Sequence, residues 1–287
     1  MLISYERPAE ITWSLLGTGA AFLTSNTRLT NGRPTSATRI QWLSGAQTTS
    51  SKLTLRGVST GADAGINDTR MYGLIGLTLP VGTKVVCNRV FDISYTDSQE
   101  RYVIERADGV RVVWFYYPPE PDAPRYGFEF DIFNDVNGIA EIPADSTFEI
   151  GEVWAGISSE WCIRTTYQSD RNDFSKQKMS INGQPFPTRR RASSISNLEF
   201  TPVIYGSAFG SVGSPSFKSI RAELLGYHPC VVVPMTAEPF TGASAIDSAY
   251  VNENAEFGYA KTLGPIVGEA PRFVFSATFE APPALLP

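Results

Sequence analysis

The chain has 287 residues, with 24 Lys and Arg against 29 Asp and Glu, so its formal net charge is -5, and charged residues make up only 18% of it. This balance excludes a general nucleic-acid binder, because such proteins carry an excess of cations that displaces counterions from phosphates. A hydrophobic fraction of 42% supports a real core in one large or two ordinary domains and excludes a disordered chain.

The remaining composition favours β structure and assembly. The chain contains 24 Gly and 20 Pro, and a surface this poor in charge is typical of all-β proteins that pack against neighbours. Its three cysteines, Cys87, Cys162 and Cys230, form no C-x-x-C pair. We therefore expect free, buried thiols and no disulfide framework.

The first residues, Met1 to Arg7, show no basic leader followed by an apolar segment, and no stretch approaches the ~20 apolar residues that span a bilayer. The sequence thus predicts no secretory signal, no membrane span and synthesis in the cytoplasm.

Taken in order, the first half of the chain is predicted to form strands. A long polar loop, Asn26 to Arg39, precedes a strand at Ile40 to Leu43. Lys52 to Arg56 alternates between polar and apolar residues, which is typical of a half-buried strand. The mostly apolar run Met71 to Pro80 indicates a strand buried on both faces, at the heart of a sandwich.

The stretch Phe148 to Gly156 is predicted to be the last core strand of a first domain, with an irregularity marked by its glycines. No helical period of 3.6 residues with caps occurs before residue 150. A β-sandwich of about 150 residues follows from these patterns.

The second half has a different character. Phe217 to Leu225 carries apolar residues at helical spacing and is the best helix candidate. Cys230 to Pro234 and Arg272 to Glu280 are predicted strands, and the Pro-rich tail, Ala281 to Pro287, is predicted to be extended.

Few residues carry chemistry. His228 is the only histidine, and we predict no metal site, no cofactor and no catalytic residue. Glu129 to Asn134 resembles the E-x-D-x-x-E strand of laminarinase-type glycoside hydrolases, but its last position is an amide that cannot act as a carboxylic acid. Hydrolysis is therefore a remote alternative, and we expect an ordinary strand with its acidic face in water.

Two groups of side chains are candidates for binding. The only dense basic cluster, Arg189, Arg190 and Arg191, fits an acidic partner protein, an anionic polysaccharide or a solvated loop. Trp42, Tyr116 and Tyr117 could stack on sugar rings or pack in the core or at an interface.

Four stretches form a recognisable set: Asn26–Trp42, Met71–Val86, the I-G-x-[LV]-W-x-G stretch Ile150–Gly156, and the closing stretch Phe273–Glu280. Together they resemble discoidin-like, galactose-binding-like jelly rolls and the corresponding domains of phage minor tail proteins. The resemblance implies an all-β protein with a jelly-roll sandwich at residues 1–165. A smaller β-rich domain with little helix and an extended tail follows at residues 166–287.

The resemblance further implies a non-enzymatic structural protein at the tail tip or baseplate of a long-tailed, non-contractile bacteriophage, assembled in the host cytoplasm. It would form a homo-oligomeric ring or collar that contacts tube, hub and fibre proteins. The loop 26–39, the segment 169–191 and the tail are the expected contacts, with Arg28, Arg33 and Arg189 to Arg191 as interface residues. The alternative is a module that binds a host-surface glycan through Trp42, Tyr116 and Tyr117.

Overall fold

The computed structural model describes residues 2–6, 11–59, 69–91, 94–106, 108–117, 127–160, 168–172, 176–179, 185–188, 193–199, 208–210, 216–225, 228–234, 248–269 and 272–281. Strands dominate this part of the chain, which confirms the all-β class. Every strand pair with a determined register is antiparallel, as expected for a chain rich in alternating segments and glycine-marked turns.

The strands that begin before residue 160 are β1 (Leu2–Glu6), β2 (Ile11–Leu16), β3 (Ala21–Phe22), β4 (Thr38–Gln41), β5 (Lys52–Ser59), β6 (Thr69–Ile75), β7 (Thr83–Phe91), β8 (Ser94–Tyr102), β9 (Ile104–Glu105), β10 (Arg111–Tyr116), β11 (Gly127–Val136), β12 (Thr147–Ile150) and β13 (Glu152–Glu160). The later strands are β14 (Gln168–Asn172), β15 (Lys176–Met179), β16 (Pro185–Thr188), β17 (Ser193–Glu199), β18 (Pro229–Val233), β19 (Glu256–Leu263), β20 (Val267–Glu269), β21 (Arg272–Val274) and β22 (Ser276–Ala281). The helices are a 3₁₀ turn (Asn26–Thr30), α1 (Phe217–Leu224) and α2 (Ser248–Asn254).

The chain divides into two compact units. The N-terminal unit comprises Glu6–Ser158, Pro239–Ala255 and Ala284–Pro287, and the C-terminal unit comprises Met1–Tyr5, Ser159–Glu238 and Glu256–Pro283. The sequence suggested a single boundary after residue 165. It gave no sign that a segment near residue 250 belongs with the N-terminal unit.

The N-terminal unit is a sandwich of two antiparallel sheets. One has the strand order β2-β5-β11-β7-β8, and the other contains β13-β6-β10-β9. A smaller sheet, β12-β4-β3, belongs to the same unit. Strand β6 pairs with β10 on one side and β13 on the other, and its side chains are almost all buried. The predicted strand at the heart of a sandwich is therefore confirmed from Met71 to Ile75, whereas Gly76 to Pro80 lie beyond its end.

Alternation along the strands builds the core between the sheets. Leu53 and Leu55 of β5, with Phe128 and Phe130 of β11, face inward and are fully buried. The rings of Phe128 and Phe130 meet edge to face, with centroids 5.6 Å apart. Because successive residues of a strand point to opposite faces, the residues between them form the outer face of the five-stranded sheet.

The segment Phe148 to Gly156 is two strands, not one. β12 pairs with β4 in the small sheet, and β13 pairs with β6 in the large one. The chain changes sheets at Gly151, whose N–H donates to the carbonyl oxygens of Ile75 (2.9 Å) and Gly76 (3.2 Å). The irregularity predicted from the glycines is the point where the chain leaves one sheet for the other.

The loop 26–39 is held by its own unit. Leu29, in the 3₁₀ turn, is fully buried in the core. The Gly32 N–H donates to the Glu152 Oε2 over 2.9 Å, and the Glu152 side chain is itself fully buried. Internal contacts therefore already fix this loop within its own unit.

Helix α2 closes one edge of the sandwich. The Asn252 Oδ1 accepts from the Trp114 N–H on β10 (2.7 Å), and its Nδ2 donates to the Tyr102 carbonyl at the end of β8 (3.3 Å). The Gln99 side chain of β8 donates to the Tyr116 carbonyl over 2.7 Å. These side chains pair backbone groups that would otherwise be left open at a sheet edge.

The C-terminal unit contains the antiparallel strands β14-β17-β22-β19-β18-β1 and two hairpins, β15–β16 and β20–β21. The predicted helix is confirmed as α1, which begins with a capping box between Ser216 and Ser219. Its buried residues Phe217, Ile220 and Leu224 join a core that includes Phe275. The segment 169–191 contains strands β14, β15 and β16, so much of its backbone is paired within the chain.

Candidate functional site

The strand that resembles a hydrolase motif places its acidic side chains on the outer face of the five-stranded sheet. Glu129 and Asp131 alternate with inward-facing phenylalanines on β11. The two carboxylates are only 1% and 6% exposed. The prediction of an acidic face in water is wrong, because polar side chains of the neighbouring strands β5 and β7 cover these carboxylates.

Asp131 is the best-satisfied group of this face. Its Oδ2 accepts from the Lys52 Nζ (2.7 Å) and from the Asn88 Nδ2 (3.2 Å), and its Oδ1 accepts from the Thr54 hydroxyl. The Asn88 Oδ1 accepts in turn from the Ser98 hydroxyl over 2.6 Å. Asp131 thus accepts three hydrogen bonds, one of them from a cation, so both of its oxygens are occupied within the sheet.

Glu129 is paired with the guanidinium of Arg56, which bonds its Oε1 through both Nε and Nη2. The residues are opposite each other in the register of β5 and β11. The two side chains differ in exposure: 2% of the Glu129 side chain is exposed to solvent, against 40% of the Arg56 side chain. Arg56 thus neutralises the buried carboxylate and covers it on the solvent side.

Asn134, at the last position of the motif, does not join the two acidic side chains. The register of β11 against β7 shifts between Ile132 and Val136. Asn134 is buried and binds the backbone of Ile142, accepting from its N–H (2.7 Å) and donating to its carbonyl (2.8 Å). The Asp135 Oδ1 accepts from the Gly138 N–H over 2.8 Å, as in a turn. The third motif position therefore carries an amide bound to the Ile142 backbone, where the hydrolase motif carries a catalytic carboxylic acid.

A row of interacting side chains crosses the same face: Lys52, Phe133, Lys84, Glu100 and Tyr102. Phe133 lies between two lysines, with the Lys52 Nζ 5.9 Å and the Lys84 Nζ 5.3 Å from its ring centroid. The Lys84 Nζ lies 2.6 Å from the Glu100 Oε2, and the Tyr102 hydroxyl donates to the Glu100 Oε1 over 2.8 Å. Tyr102 is 45% exposed, so this row, unlike the buried carboxylates, is open to solvent.

These contacts shift the pKa values of the row. The hydrogen bond from Lys84, and then that from Tyr102, lowers the pKa of Glu100. The hydrogen bond to Glu100 raises the pKa of Lys84 and that of Tyr102. The three groups therefore hold a charged pair and a neutral phenol at neutral pH.

Because the pKa of Glu100 is lower in the folded state, its pair stabilises the fold above the unfolded pKa and loses that contribution as the pH falls through the folded value. We expect Glu100→Gln to cost less than about 1 kcal/mol at pH 7, since the pair is at the surface. The difference from wild type should shrink below about pH 4. Urea denaturation at pH 7 and pH 3 measures the difference in the free energy of unfolding, and Glu141→Gln, which changes an exposed carboxylate, is the control. If the difference between Glu100→Gln and wild type grew in acid, the lowered pKa of Glu100 would be contradicted.

Inside the sandwich, Arg89 is fully buried and forms an ion pair with Asp97. Its guanidinium carbon lies 4.2 Å from the ring centroid of Tyr117, whose hydroxyl donates to the Cys87 carbonyl (2.6 Å). Burial raises the pKa of both the Cys87 thiol and the Tyr117 phenol. Both groups stay neutral, so they fill the core and are not poised to react. Sequence reasoning missed Arg89, because an arginine inside an alternating strand gives no local signal of burial.

The three rings proposed to stack on sugars are core residues. Trp42 and Tyr117 are 0% exposed and Tyr116 is 2% exposed. The Trp42 Nε1 donates to the Gln47 Oε1 (3.0 Å), and its ring meets Phe148 edge to face. No ring face is open to a ligand, so the alternative of core packing is what the structure shows.

The proposed interface arginines fall into two groups. Arg28 and Arg33 are exposed, and the Arg28 Nη1 donates to the Ala37 carbonyl over 3.4 Å. Arg189, Arg190 and Arg191 lie outside the described residues, as do Cys162 and residues 282–287 of the tail. Cys87 and Cys230 are buried thiols that form no disulfide, as predicted. His228 is exposed.

Within the described ranges, no group of three or more His, Cys, Asp or Glu side chains is arranged to hold a metal ion. No helix in that part of the chain has the length and apolar character needed to cross a bilayer. No family model matches the sequence, and no curated protein or solved structure is significantly similar to it.

Proposed function

We propose that this chain is a structural protein of the distal tail of a long-tailed, non-contractile bacteriophage. In the virion it forms an oligomeric ring or collar that joins tube, hub and fibre proteins, after assembly in the host cytoplasm. The tail assignment rests on the four stretches that resemble minor tail proteins. Each of the four stretches contains a buried core residue, respectively Trp42, Leu74, Trp154 and Phe275.

The observation that carries a structural rather than an enzymatic role is the pairing of the two carboxylates on β11. Glu129 is neutralised by Arg56, and Asp131 is saturated by Lys52, Thr54 and Asn88. In such a network, hydrogen bonds hold neighbouring strands together and occupy both carboxylates of the motif. The proposal therefore includes no reaction.

The surface suits packing against other proteins. Arg28 and Arg33 project from a loop that its own unit already holds in place, so little conformational entropy is lost when a partner binds. Arginine is enriched at protein interfaces, since its planar guanidinium pairs with carboxylates in a fixed geometry. The glycan-binding alternative has no support from the rings named for it, because all three are buried.

Imaging of intact particles tests the localisation. Fab fragments raised against the purified chain, bound to particles and viewed by electron microscopy, should decorate the distal end of the tail with ring symmetry. A chain that is present in infected cells but never found in purified particles would overturn the proposal.

We expect the double variant Arg28→Glu/Arg33→Glu to fold normally but to enter particles poorly, because it replaces two exposed cations with anions at the proposed contact. Incorporation should fall roughly tenfold or more if the contact is worth at least ~1.4 kcal/mol. Immunoblots of purified particles measure it, and the unfolding temperature checks the fold. Lys218→Glu, at an exposed cation of α1, is the control. If both variants were incorporated equally well, the loop 26–39 would not be part of the interface.

A further inference from the structure

The two edges of the five-stranded sheet are treated differently. At the β8 edge, the Gln99 and Asn252 side chains bond backbone groups of neighbouring strands, and β8 carries charged residues at Asp97, Glu100 and Arg101. Charges and covering groups are the usual protection of a sheet edge. Strand β2 at the other edge reads Ile-Thr-Trp-Ser-Leu-Leu and carries no charge.

The direction of the backbone groups of β2 follows from its neighbour. The Ser51 carbonyl, just before β5, accepts from the Asn134 N–H (2.8 Å), and the Gly57 carbonyl also lies toward β11, where a Cβ on Gly127 would meet it. Residues of β5 at odd positions therefore bond β11. Since Trp13 is opposite Gly57, its N–H and C=O point away from β5.

One further contact agrees with this orientation. The Trp13 carbonyl accepts a long hydrogen bond of 3.5 Å from the Asn26 side chain, which comes from outside the sheet. It is the sole hydrogen bond that the described residues make to the outer edge of β2. Ile11, Trp13 and Leu15 thus direct N–H and C=O groups toward a side of β2 on which the described part of the chain places no further strand.

The side chains of β2 also lack a neighbour on this side. Ile11 and Leu15 face the core but are only partly buried, whereas the equivalent residues of the inner strands, such as Leu53 and Leu55, are completely buried. The Trp13 ring leans inward over Gly57 and meets Phe128 edge to face, so it does not cover the edge. A further strand beside β2 would complete the burial of Ile11 and Leu15.

We propose that the β2 edge pairs antiparallel with β2 of a second copy of this chain, across a two-fold axis at Trp13. In this register Trp13 is opposite its own copy, and Ile11 of one chain is opposite Leu15 of the other. All three are pairs in which both residues exchange their backbone N–H···O=C bonds. The weak Asn26 contact is replaced by these bonds.

The sequence of β2 is complementary to itself in this arrangement. On the core face, apolar residues are opposite apolar residues. On the outer face, Thr12 is opposite Ser14, and both are exposed hydroxyl residues that tolerate a close neighbour. A two-fold pair uses the same patch on both partners, so self-complementarity is what distinguishes a second copy from an unrelated strand. The pairing goes beyond the proposed function, since a dimer in solution needs no phage particle.

Charge substitutions on the outer face test both the interface and its register. In Thr12→Lys/Ser14→Lys, each lysine is opposite a lysine of the partner, and we expect self-association to weaken roughly tenfold or more. In Thr12→Glu/Ser14→Lys, each glutamate is opposite a lysine, and the dimer should persist or tighten. Both positions are exposed in the single chain, so either variant should fold.

Sedimentation equilibrium of the full chain over a range of concentrations gives the dissociation constants, and circular dichroism checks the fold. Dimeric wild type, a weakened lysine variant and an intact glutamate–lysine variant support the proposal. Monomeric wild type, a lysine variant that stays fully dimeric, or equal weakening of both variants overturns it. Labelling of particles with Fab fragments is independent of these results, so failure of the pairing and failure of the tail assignment are distinguishable.

Discussion

Trp42→Ala is expected to lower the free energy of unfolding by about 3–5 kcal/mol, the usual cost of truncating a buried tryptophan. The side chain is 0% exposed, packs edge to face on Phe148, and donates its Nε1–H to Gln47. Truncation removes these contacts and leaves a cavity beside the small sheet that contains β4 and β12. Urea denaturation, followed by tryptophan fluorescence and circular dichroism, measures the loss.

Trp42→Phe is the matched control. It keeps the ring contact with Phe148 and loses the hydrogen bond to Gln47, so we expect roughly half the loss or less. A glycan-stacking role makes the opposite prediction, in which the alanine variant keeps its stability and loses only ligand binding. Unchanged stability of Trp42→Ala would therefore contradict the core position and restore the stacking alternative.

The sequence was sufficient for the class of fold because alternation is local. Lys52 to Arg56 and Phe128 to Ile132 show a period of two residues, and both lie in strands that the structure contains, β5 and β11. The same pattern assigns Glu129 and Asp131 to the face opposite the phenylalanines. It cannot say whether that face is wet, because burial depends on Arg56 and Lys52 of a strand more than 70 residues away.

Other features had no local signal at all. Helix α2 has the sequence Ser-Ala-Tyr-Val-Asn-Glu-Asn, with too few apolar residues to show a helical period, and its Asn252 acts through the backbone of β10 and β8. Trp42 follows a polar loop, and its burial depends on Phe148 from another part of the chain. Aromatic residues beside loops serve equally well in cores and binding sites, so sequence alone left both uses open.

Gly151→Ala, at the point where the chain changes sheets, is also expected to lower the stability of the fold strongly. A Cβ at this position would overlap the Pro34 carbonyl oxygen and lie 3.0 Å from that of Ile75, both of them backbone atoms that cannot rotate away. Gly151→Ala should therefore cost about 3 kcal/mol, at the upper end for an overpacked site. Thermal and urea unfolding measure this cost.

The damage should be concentrated in the loop 26–39. Pushing Pro34 away strains the hydrogen bond from the Gly32 N–H to the buried Glu152 carboxylate, so the Gly32 amide should lose protection in hydrogen exchange. Gly45→Ala is the control, because a Cβ there meets nothing within 4 Å and its positive φ of 82° costs only about 1 kcal/mol. If Gly151→Ala left the Gly32 amide fully protected, the loop would not depend on this crossing. A loop fixed in this way positions the backbone that carries Arg28 and Arg33 before any partner binds.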